Sequence, residues 1–587
     1  MQNVREKMFI DKRAQMKGVA TTIIALIIGL VIGAVAMYAI PTRPAEEVTT
    51  VTTTIPGATV TMATTVTTTV TKPPAPFKGG TLVIAQSEDA DTLDPHKTGL
   101  IPAWEVFLCI FDPYIILDEN LVIRPHLLEY WEVSPDGLTY TWYLRKGVKF
   151  HCGYSFDASV VKYTMERHKN PETASPTSDI FLGALESVEI VDDYTVKLHM
   201  KVPNRFFMTL LNEAYTAPVC PDCIEKYGND YGVTHVCGTG PFKFVEWVKD
   251  EHIKLERNDE YNWAPIYTLH QGPSLLEGIT FRIIPESSTR ISELLTGGVD
   301  MIAVGGIPPY EFERLYESPD MTVGKTLYGL RASYLGFNVE KPPFDDEKVR
   351  LAVAHTVDRE VIVESVLYGL WTPAYSPIPP GMRPYYNPNS KDVAPELNKM
   401  RAEELLDEAG WKKEADGWRY KDGEILEVST VVTAGEEDNM KITTILQQQL
   451  KDIGMKLNIQ ELDFTGYINA LQAGDYNLHV WIYGFETPDV LIFFFAEEMI
   501  PWYNYFRVKD PELEATIRDG TATLDTAKAT EYFYKAQEII VNKAYWVPIA
   551  YPPEMTAWGA WVKGFELVPV RNNFMYMNTY IEEAAKP

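Results

Sequence analysis

The sequence predicts an α/β protein with mixed sheets, preceded by an apolar N-terminal helix. Its 587 residues, of which 46% are apolar and 12% aromatic, suit a packed protein of two or three domains. Between residues 81 and 567, short alternating or apolar runs typical of strands are interleaved with runs of helical periodicity. This alternation of strands and helices is typical of α/β proteins.

The N-terminal segment, residues 1–40, is predicted to be a signal anchor. Residues 18–40 form an almost uncharged apolar run that is long enough to cross a bilayer, and five basic residues precede it. The basic residues place the N-terminus in the cytoplasm and the rest of the chain outside. Two alternatives remain open: cleavage after the A-x-A pattern at 34–36, and processing at Lys17 and Gly18 as in archaeal pilin-like signals.

Residues 41–78 are predicted to form an extended linker. They are rich in threonine, contain six prolines and offer few side chains that could build a core. Such a composition is typical of O-glycosylated stalks, and a disordered leader is the alternative.

The folded body is predicted to begin with a buried strand at 81–85. Residues 127–167 then predict a hairpin and a capped helix. A run with period two follows a Ser-Pro-Asp-Gly turn sequence, and Asp157 stands where a helix N-cap is expected. The inward positions of the second strand are Tyr140, Trp142 and Leu144.

The same segment resembles the signature of the oligopeptide/dipeptide family (family 5) of extracytoplasmic solute-binding proteins, the capture subunits of ABC importers. The matching positions are Trp131, Ser134, Asp136, Gly137, Leu144 to Phe150, His151, Gly153 and Val161. Cys152 departs from the pattern, because the family usually has aspartate there. Five further motifs follow in the family's order, at 238–242, 281–301, 335–360, 402–411 and 446–481. The chain is therefore identified as a member of this family, of archaeal type.

The resemblance implies a three-lobed periplasmic-binding-protein-like fold (type II, large cluster). Lobe I is expected at about 79–111, 238–335 and 558–587, the accessory lobe at about 112–237, and lobe II at about 336–557. Ligand binds between lobes that close by hinge motion. The residues expected near the hinge are Gly238, Thr239, Gly240, Pro241, Phe337 and Asn338.

The implied function is capture of a peptide or similar small oligomer outside the cell and its delivery to the membrane permease subunits. We expect a monomer, anchored at the cell membrane by its N-terminal helix, with the binding domain outside and no cofactor. The net charge of −28 argues against a nucleic acid partner, because phosphate binding needs a basic surface. The sequence contains no H-E-x-x-H, G-x-S-x-G or Walker motif, so no enzyme is predicted. A secreted glycosidase is a remote alternative, because the many acids could supply a carboxylate pair.

Residues 481–489 are expected to line the cleft, because the family has a W-x-x-D-x-x-D-P loop there. In peptide binders of the family this first Asp binds the ligand's α-ammonium. Here Gly484 stands at that position, which raises an oligosaccharide stacked on aromatic rings as the alternative ligand. Core packing is the alternative role for each aromatic residue. The expected ligand-facing residues are Trp481, Tyr483, Gly484, Phe485, Glu486, Asp489, Trp104, Trp502 and Tyr503.

Three cysteines, Cys220, Cys223 and Cys237, suggest either a metal site or a disulfide. Zinc needs four ligands, and no second matching pair is evident in the sequence, so no metal is predicted. Outside the cell a disulfide is favoured, with Cys237 bonded to one of the pair. A second pairing would join Cys109 to Cys152.

Overall fold

The computed structural model describes residues 51–55, 58–62 and 79–587, except 119, 266–267, 327–329 and 569–574. The predicted anchor at 1–40 lies outside these residues, and so does most of the predicted linker. In the described part of the chain, no helix is both long enough and apolar enough to span a membrane. Contacts group Phe77–Pro587 into one compact unit.

Two strands lie within the predicted linker. β1 (Val51–Ile55) and β2 (Ala58–Met62) pair as an antiparallel hairpin. The prediction here was an extended chain, and the structure adds strand pairing to it. Threonine and valine dominate both strands, and β-branched residues favour strand conformation.

The other described strands and the helices belong to the compact unit. The strands are β3 (Thr81–Gln86), β4 (Ile115–Leu117), β5 (Ile123–Pro125), β6 (Leu128–Val133), β7 (Thr139–Leu144), β8 (Leu185–Asp192), β9 (Thr195–Met200), β10 (Phe242–Val248), β11 (His252–Arg257), β12 (Gly278–Ile283), β13 (Met301–Ile302), β14 (Met321–Lys325), β15 (Arg331–Phe337), β16 (Thr372–Pro373), β17 (Lys412–Lys413), β18 (Arg419–Lys421), β19 (Glu424–Ile425), β20 (Glu427–Thr433), β21 (Lys456–Leu462), β22 (Leu478–Gly484), β23 (Trp546–Tyr551), β24 (Met555–Gly559), β25 (Val562–Lys563) and β26 (Tyr580–Ile581). The α-helices are α1 (Ile101–Ile110), α2 (Ala158–Lys169), α3 (Ser178–Leu182), α4 (Phe207–Leu210), α5 (Pro221–Tyr227), α6 (Ser287–Leu295), α7 (Phe312–Tyr316), α8 (Glu347–Ala354), α9 (Arg359–Ser365), α10 (Ser390–Val393), α11 (Lys399–Glu408), α12 (Glu437–Asp452), α13 (Phe464–Ala473), α14 (Leu491–Phe495), α15 (Pro511–Ala522) and α16 (Thr526–Asn542).

Three larger sheets organise the compact unit. A seven-stranded sheet has the order β10–β11–β12–β3–β13–β24–β14, with β3 parallel to both of its neighbours. A six-stranded sheet has the order β16–β23–β15–β22–β20–β21, with β20 parallel to both of its neighbours. A four-stranded antiparallel sheet has the order β6–β7–β9–β8. The predicted α/β fold with mixed sheets is confirmed.

The hairpin and capped helix predicted at 127–167 are present. The Gly137 N–H donates to the Ser134 carbonyl at 2.8 Å, which closes the turn between β6 and β7. The Asp157 side chain caps α2 by accepting from the N–H groups of Ser159 and Val160. The inward side chains of β7 are buried as predicted, namely Tyr140, Trp142 and Leu144.

The chain passes between the seven-stranded and six-stranded sheets at two places. One connection leads from β14 to β15 and begins with Thr326, and the other leads from β23 to β24 through residues 552–554. The two connections are bonded to each other, because the Thr326 N–H donates to the Glu554 carbonyl at 3.0 Å and the Glu554 N–H to Thr326 Oγ1 at 2.9 Å. These residues, rather than those predicted from the sequence, join the two sheets.

The predicted hinge residues lie elsewhere. Phe337 ends β15 and Asn338 follows it, at the end of the strand that is farther from the connection, because β15 begins at Arg331. Residues 238–241 precede β10, an edge strand of the seven-stranded sheet. A Cβ on Gly238 would lie 2.1 Å from the Ile110 carbonyl oxygen, so this close approach to α1 requires glycine.

An aromatic cluster fills the core beside the six-stranded sheet. Trp546 of β23 is fully buried and stacks on Tyr334 of β15, with ring centroids 4.0 Å apart and planes 9° from parallel. Tyr483, Phe494 and Phe506 surround Trp546 at centroid distances between 5.0 and 5.3 Å. This cluster holds β22 and β15 against the chain that follows β22.

Candidate ligand-binding site

The segment predicted to line the cleft begins on β22, near the middle of the six-stranded sheet. β22 lies between β15 and β20, and its register pairs Trp481 with Tyr334 and Gly484 with Arg331. After Gly484 the chain leaves the sheet and enters a 3₁₀ turn at Pro488–Val490, which leads into α14. The sheet therefore fixes the position at which residues 485–490 begin.

Two of the predicted ligand-facing rings are engaged by other side chains. Trp481 is partly exposed, stacks on Tyr505 with centroids 6.0 Å apart, and contacts Tyr467 at 5.1 Å. Tyr483 is buried, and its hydroxyl donates to the Pro377 carbonyl. Burial raises the pKa of Tyr483 well above its ordinary value. Tyr483 thus lies in the aromatic core rather than on a ligand-facing surface.

Gly484 is exposed and lies against an arginine. A Cβ on Gly484 would come within 2.6 Å of Arg331 Cγ, so the arginine stem fills the space that an aspartate side chain would need. The neighbouring Phe485 is partly buried, and its N–H donates to the Leu330 carbonyl at 3.3 Å. Where the family pattern has an acid, this chain therefore has a glycine, and the Arg331 side chain occupies the adjacent space.

Glu486 forms a carboxyl pair with Glu213, which we call the acidic pair. The two side chains are hydrogen-bonded, and burial together with the Glu213 charge raises the pKa of Glu486 well above its ordinary value. The Trp104 Nε1–H donates to Glu213 Oε2 at 2.8 Å. In the described part of the chain, no lysine, arginine or histidine forms an ion pair with either carboxyl. The structure thus joins two predicted residues, Trp104 and Glu486, through a third that was not predicted.

Asp489 lies just beyond the acidic pair and is buried. The side chains of Thr487 and Asn204 favour the charged form of its carboxyl, and Asn204 belongs to the segment after β9. Burial outweighs their effect and raises the pKa of Asp489 to about 6. Asp489 is thus buried where the turn after β22 meets the segment after β9.

The raised pKa of Asp489 predicts a pH dependence of stability. The folded protein keeps a proton that the unfolded chain releases above about pH 4, so this contribution to the free energy of unfolding is full below pH 4 and is lost as the pH rises through about 6. Between pH 3.5 and pH 7, the free energy of unfolding of the wild type should fall by about 2–3 kcal/mol relative to that of Asp489→Asn. Urea unfolding of both proteins at both pH values measures this, and a constant difference would contradict it.

Trp502 and Tyr503 follow α14, and Trp502 is exposed to solvent whereas Tyr503 is engaged by other residues. Trp502 projects into solvent with 63% of its surface exposed. Tyr503 donates from its hydroxyl to the Pro176 carbonyl at 3.3 Å and packs its ring against Phe493 at 5.9 Å. Among the aromatic residues predicted to face ligand, Trp104 is hydrogen-bonded to the acidic pair through Glu213.

A second group of acids lies near Arg331. Burial and the neighbouring Glu88 raise the pKa of Glu436, while the Arg331 charge lowers it. Burial also raises the pKa of Asp438 to about 6. Glu88 follows β3 of the seven-stranded sheet and Glu436 follows β20 of the six-stranded sheet, so this group joins the ends of the two sheets.

Sequence reasoning missed four residues of this region, which are Glu213, Arg331, Glu88 and Glu436. Their segments are far apart in the chain, and none of them belongs to a motif. Only for Arg331 was a signal available. An antiparallel neighbour of β22 must place some residue opposite Gly484, and in the pairing of β15 with β22 that residue is Arg331.

Four of the five cysteines come together beside the start of β10. The Sγ atoms of Cys152, Cys220, Cys223 and Cys237 all lie within 4.8 Å of one another, and all five cysteines are free thiols. Cys109 lies in α1, where its Sγ is 3.9 Å from the Glu105 carbonyl. The suggested pairing of Cys109 with Cys152 is therefore wrong, because Cys152 belongs to the group of four.

Known proteins share this fold over most of its length. Residues 122–496 match the family described as bacterial extracellular solute-binding proteins, family 5 middle. The glutathione-binding protein GsiB of Salmonella paratyphi A is 28% identical over 503 residues, which cover 83% of this chain and 92% of that protein. The structure of DppA from Helicobacter pylori in complex with the peptide STSA is 27% identical with a TM-score of 0.74, over 86% of this chain and 99% of that one. The oligopeptide-binding protein AppA from Bacillus subtilis, in complex with a nonapeptide, has 24% identity and a TM-score of 0.75, over 86% of this chain and 100% of that one.

Proposed function

The chain belongs to family 5 of the extracellular solute-binding proteins of ABC importers, and from this premise we propose that it captures peptides with a free amino terminus. The observation that carries the proposal is the acidic pair of Glu486 and Glu213. It consists of two hydrogen-bonded carboxyls beside Trp104, with no ion-paired cation among the described residues. A ligand ammonium would supply the missing positive charge.

The acidic pair suits an ammonium group for electrostatic reasons. Two neighbouring carboxyls that are both partly buried cannot both ionise cheaply, and one keeps its proton. A cation placed between them would favour both charged forms and would form charge-assisted hydrogen bonds. The same site offers a neutral sugar hydroxyl no comparable gain. Ammonium recognition therefore explains why two acids are held together here.

Arg331 accounts for the departure at Gly484. Its stem covers Gly484, so an acid at position 484 would have no room. Glu486 stands two residues later and, in this proposal, takes over the role of the family's aspartate. The Arg331 guanidinium, close to Glu436, remains available to a carboxylate or a peptide carbonyl of the ligand.

The relatives support a peptide ligand. GsiB is by name a glutathione-binding protein, and glutathione is a small peptide with a free ammonium group. The DppA structure contains the peptide STSA. The oligosaccharide alternative gains no comparable support, because Tyr483 is buried and Trp481 is already stacked on Tyr505.

Capture would proceed by closure of two lobes built on the seven-stranded and six-stranded sheets, with the accessory lobe on the four-stranded sheet. The connections that contain Thr326 and Glu554 would serve as the hinge. Lys441 of α12 lies over the ring of Tyr310, which precedes α7, at 4.9 Å, and this contact joins the two sides. The N-terminal segment would anchor the monomeric protein at the membrane, close to the permease.

A titration of the full-length protein tests the proposal. We expect a peptide library with free amino termini to raise the melting temperature, whereas oligosaccharides should leave it unchanged, since a ligand that binds the folded state stabilises it. Calorimetry then gives the affinity of each hit. Stabilisation by oligosaccharides alone, or by neither class, would contradict peptide capture.

A further inference from the structure

The cluster of Cys152, Cys220, Cys223 and Cys237 is not among the residues proposed to bind ligand, and its geometry points to a metal site. We propose that these four thiolates bind one zinc ion as a structural tetrahedral centre. The ligands come from three segments: the loop between β7 and α2, the start of α5, and the residue before the Gly238 turn. The proposal is independent of the ligand that the protein captures.

The distances between the sulfurs fit a single ion. Zinc–sulfur bonds of about 2.3 Å in a tetrahedron place the sulfurs about 3.8 Å apart. The Sγ atoms of Cys152 and Cys220 are 3.4 Å apart, and every pair in the group lies within 4.8 Å. An iron–sulfur cluster would hold its thiolates outside a core of several irons, and therefore farther apart than this. The donor set also favours zinc, since four thiolates in a tetrahedron suit soft metals.

The surroundings of the cluster suit thiolates. The backbone N–H groups of Tyr154 and Cys223 favour the charged forms of Cys152 and Cys220 respectively, and this suits metal-binding thiolates. Three of the four cysteines are buried, while Cys152 is exposed and offers a route for the ion. All four positions are filled by protein, which is typical of a structural rather than a catalytic zinc site.

The centre would fasten the four-stranded sheet to the seven-stranded sheet. His151, next to Cys152, donates from its N–H to the Gly238 carbonyl at 2.9 Å, and its Nε2 lies 3.0 Å from the Gly240 carbonyl. Cys237 immediately precedes this turn, and β10 follows it. A zinc ion would therefore reinforce a junction that hydrogen bonds already define.

Metal analysis of the full-length protein tests the site. After reduction, incubation with zinc and removal of unbound metal, we expect one zinc per chain by elemental mass spectrometry. Cys152→Ser changes the exposed ligand. It should lower zinc affinity by more than about 100-fold, because losing a group that is only hydrogen-bonded to a ligand already costs about 10- to 100-fold. Cys109→Ser is the matched control and should keep one zinc. Cobalt bound to the wild-type protein should show thiolate-to-metal charge-transfer absorption. This measurement does not depend on whether any variant folds.

Two results would overturn the proposal. One is peptide mapping that finds two disulfides among the four cysteines, together with no zinc uptake after reduction. The other is equal zinc binding by the wild type and Cys152→Ser, with no thiolate-to-cobalt absorption, which would place the metal elsewhere. A zinc-loaded wild type, a depleted Cys152→Ser and an unchanged Cys109→Ser would establish the centre.

Discussion

Replacing Glu486 with glutamine is expected to weaken the binding of a peptide with a free amino terminus by about 10- to 100-fold. A hydrogen bond to a charged group contributes about 1.5–3 kcal/mol, and about 1.4 kcal/mol corresponds to a tenfold change in affinity. The variant keeps the shape of the side chain but removes the charge that would face the ammonium. Glu213→Gln should give a loss of similar size, since both carboxyls belong to the acidic pair.

Calorimetric titrations with matched peptides distinguish recognition of the ammonium from a general effect on the site. An N-acetylated peptide lacks the ammonium, so its affinity for the wild type and for Glu486→Gln should be similar. Glu132→Gln, an exposed change on β6, should leave the affinity for both peptides unaltered. An equal loss for the free and acetylated peptides would show that the variant disturbs the site as a whole, and no loss would remove Glu486 from it.

The same titrations carry a second signature of the acidic pair. The raised pKa of Glu486 favours the protonated form of its carboxyl in the unliganded site. An ammonium bound beside it would lower that pKa and expel the proton. The binding enthalpy of the wild type should therefore depend on the ionisation enthalpy of the buffer, with net proton release. In Glu486→Gln this dependence should disappear.

Most of the fold was predictable because its signals are local. The turn at 134–137, the Asp157 cap and the alternation in β7 depend on residues within a few positions of one another, and each was found as predicted. The position of the connection between the large sheets was not predicted correctly. It depends on where β15 starts and on which strands it joins, and those pairings reach to β22 and β23.

The binding site was predictable only in part, because its chemistry arises between segments. The departure from the family pattern at Gly484 is visible in the sequence, but the Arg331 stem that lies against Gly484 is a cross-strand contact. Glu486 was named, whereas its partner Glu213 lies far away in the chain. The cysteines show the same limit. One close pair was visible in the sequence, while the loop that carries Cys152 and the turn that follows Cys237 meet only in the fold.

The aromatic core beside the six-stranded sheet determines how well the acidic pair is held. Trp546 contacts Tyr483 at 5.2 Å, and Tyr483 lies on the strand that ends at Gly484. It also stacks on Tyr334, the residue opposite Trp481 in the neighbouring strand. A defect at Trp546 would therefore reach Glu486 through β22 without any direct contact with ligand.

Replacing Trp546 with alanine is expected to lower the free energy of unfolding by about 3–5 kcal/mol, the usual cost of removing a large buried ring. Trp546→Phe should cost much less, because it keeps most of the ring contacts and removes an indole N–H that is buried without a hydrogen-bond partner. Trp502→Ala removes an indole that is 63% exposed and should change stability by less than about 0.5 kcal/mol. Urea unfolding of the three variants measures these differences. Similar losses in Trp546→Ala and Trp502→Ala would contradict the aromatic core as the support of the site, because only the buried ring packs against β22.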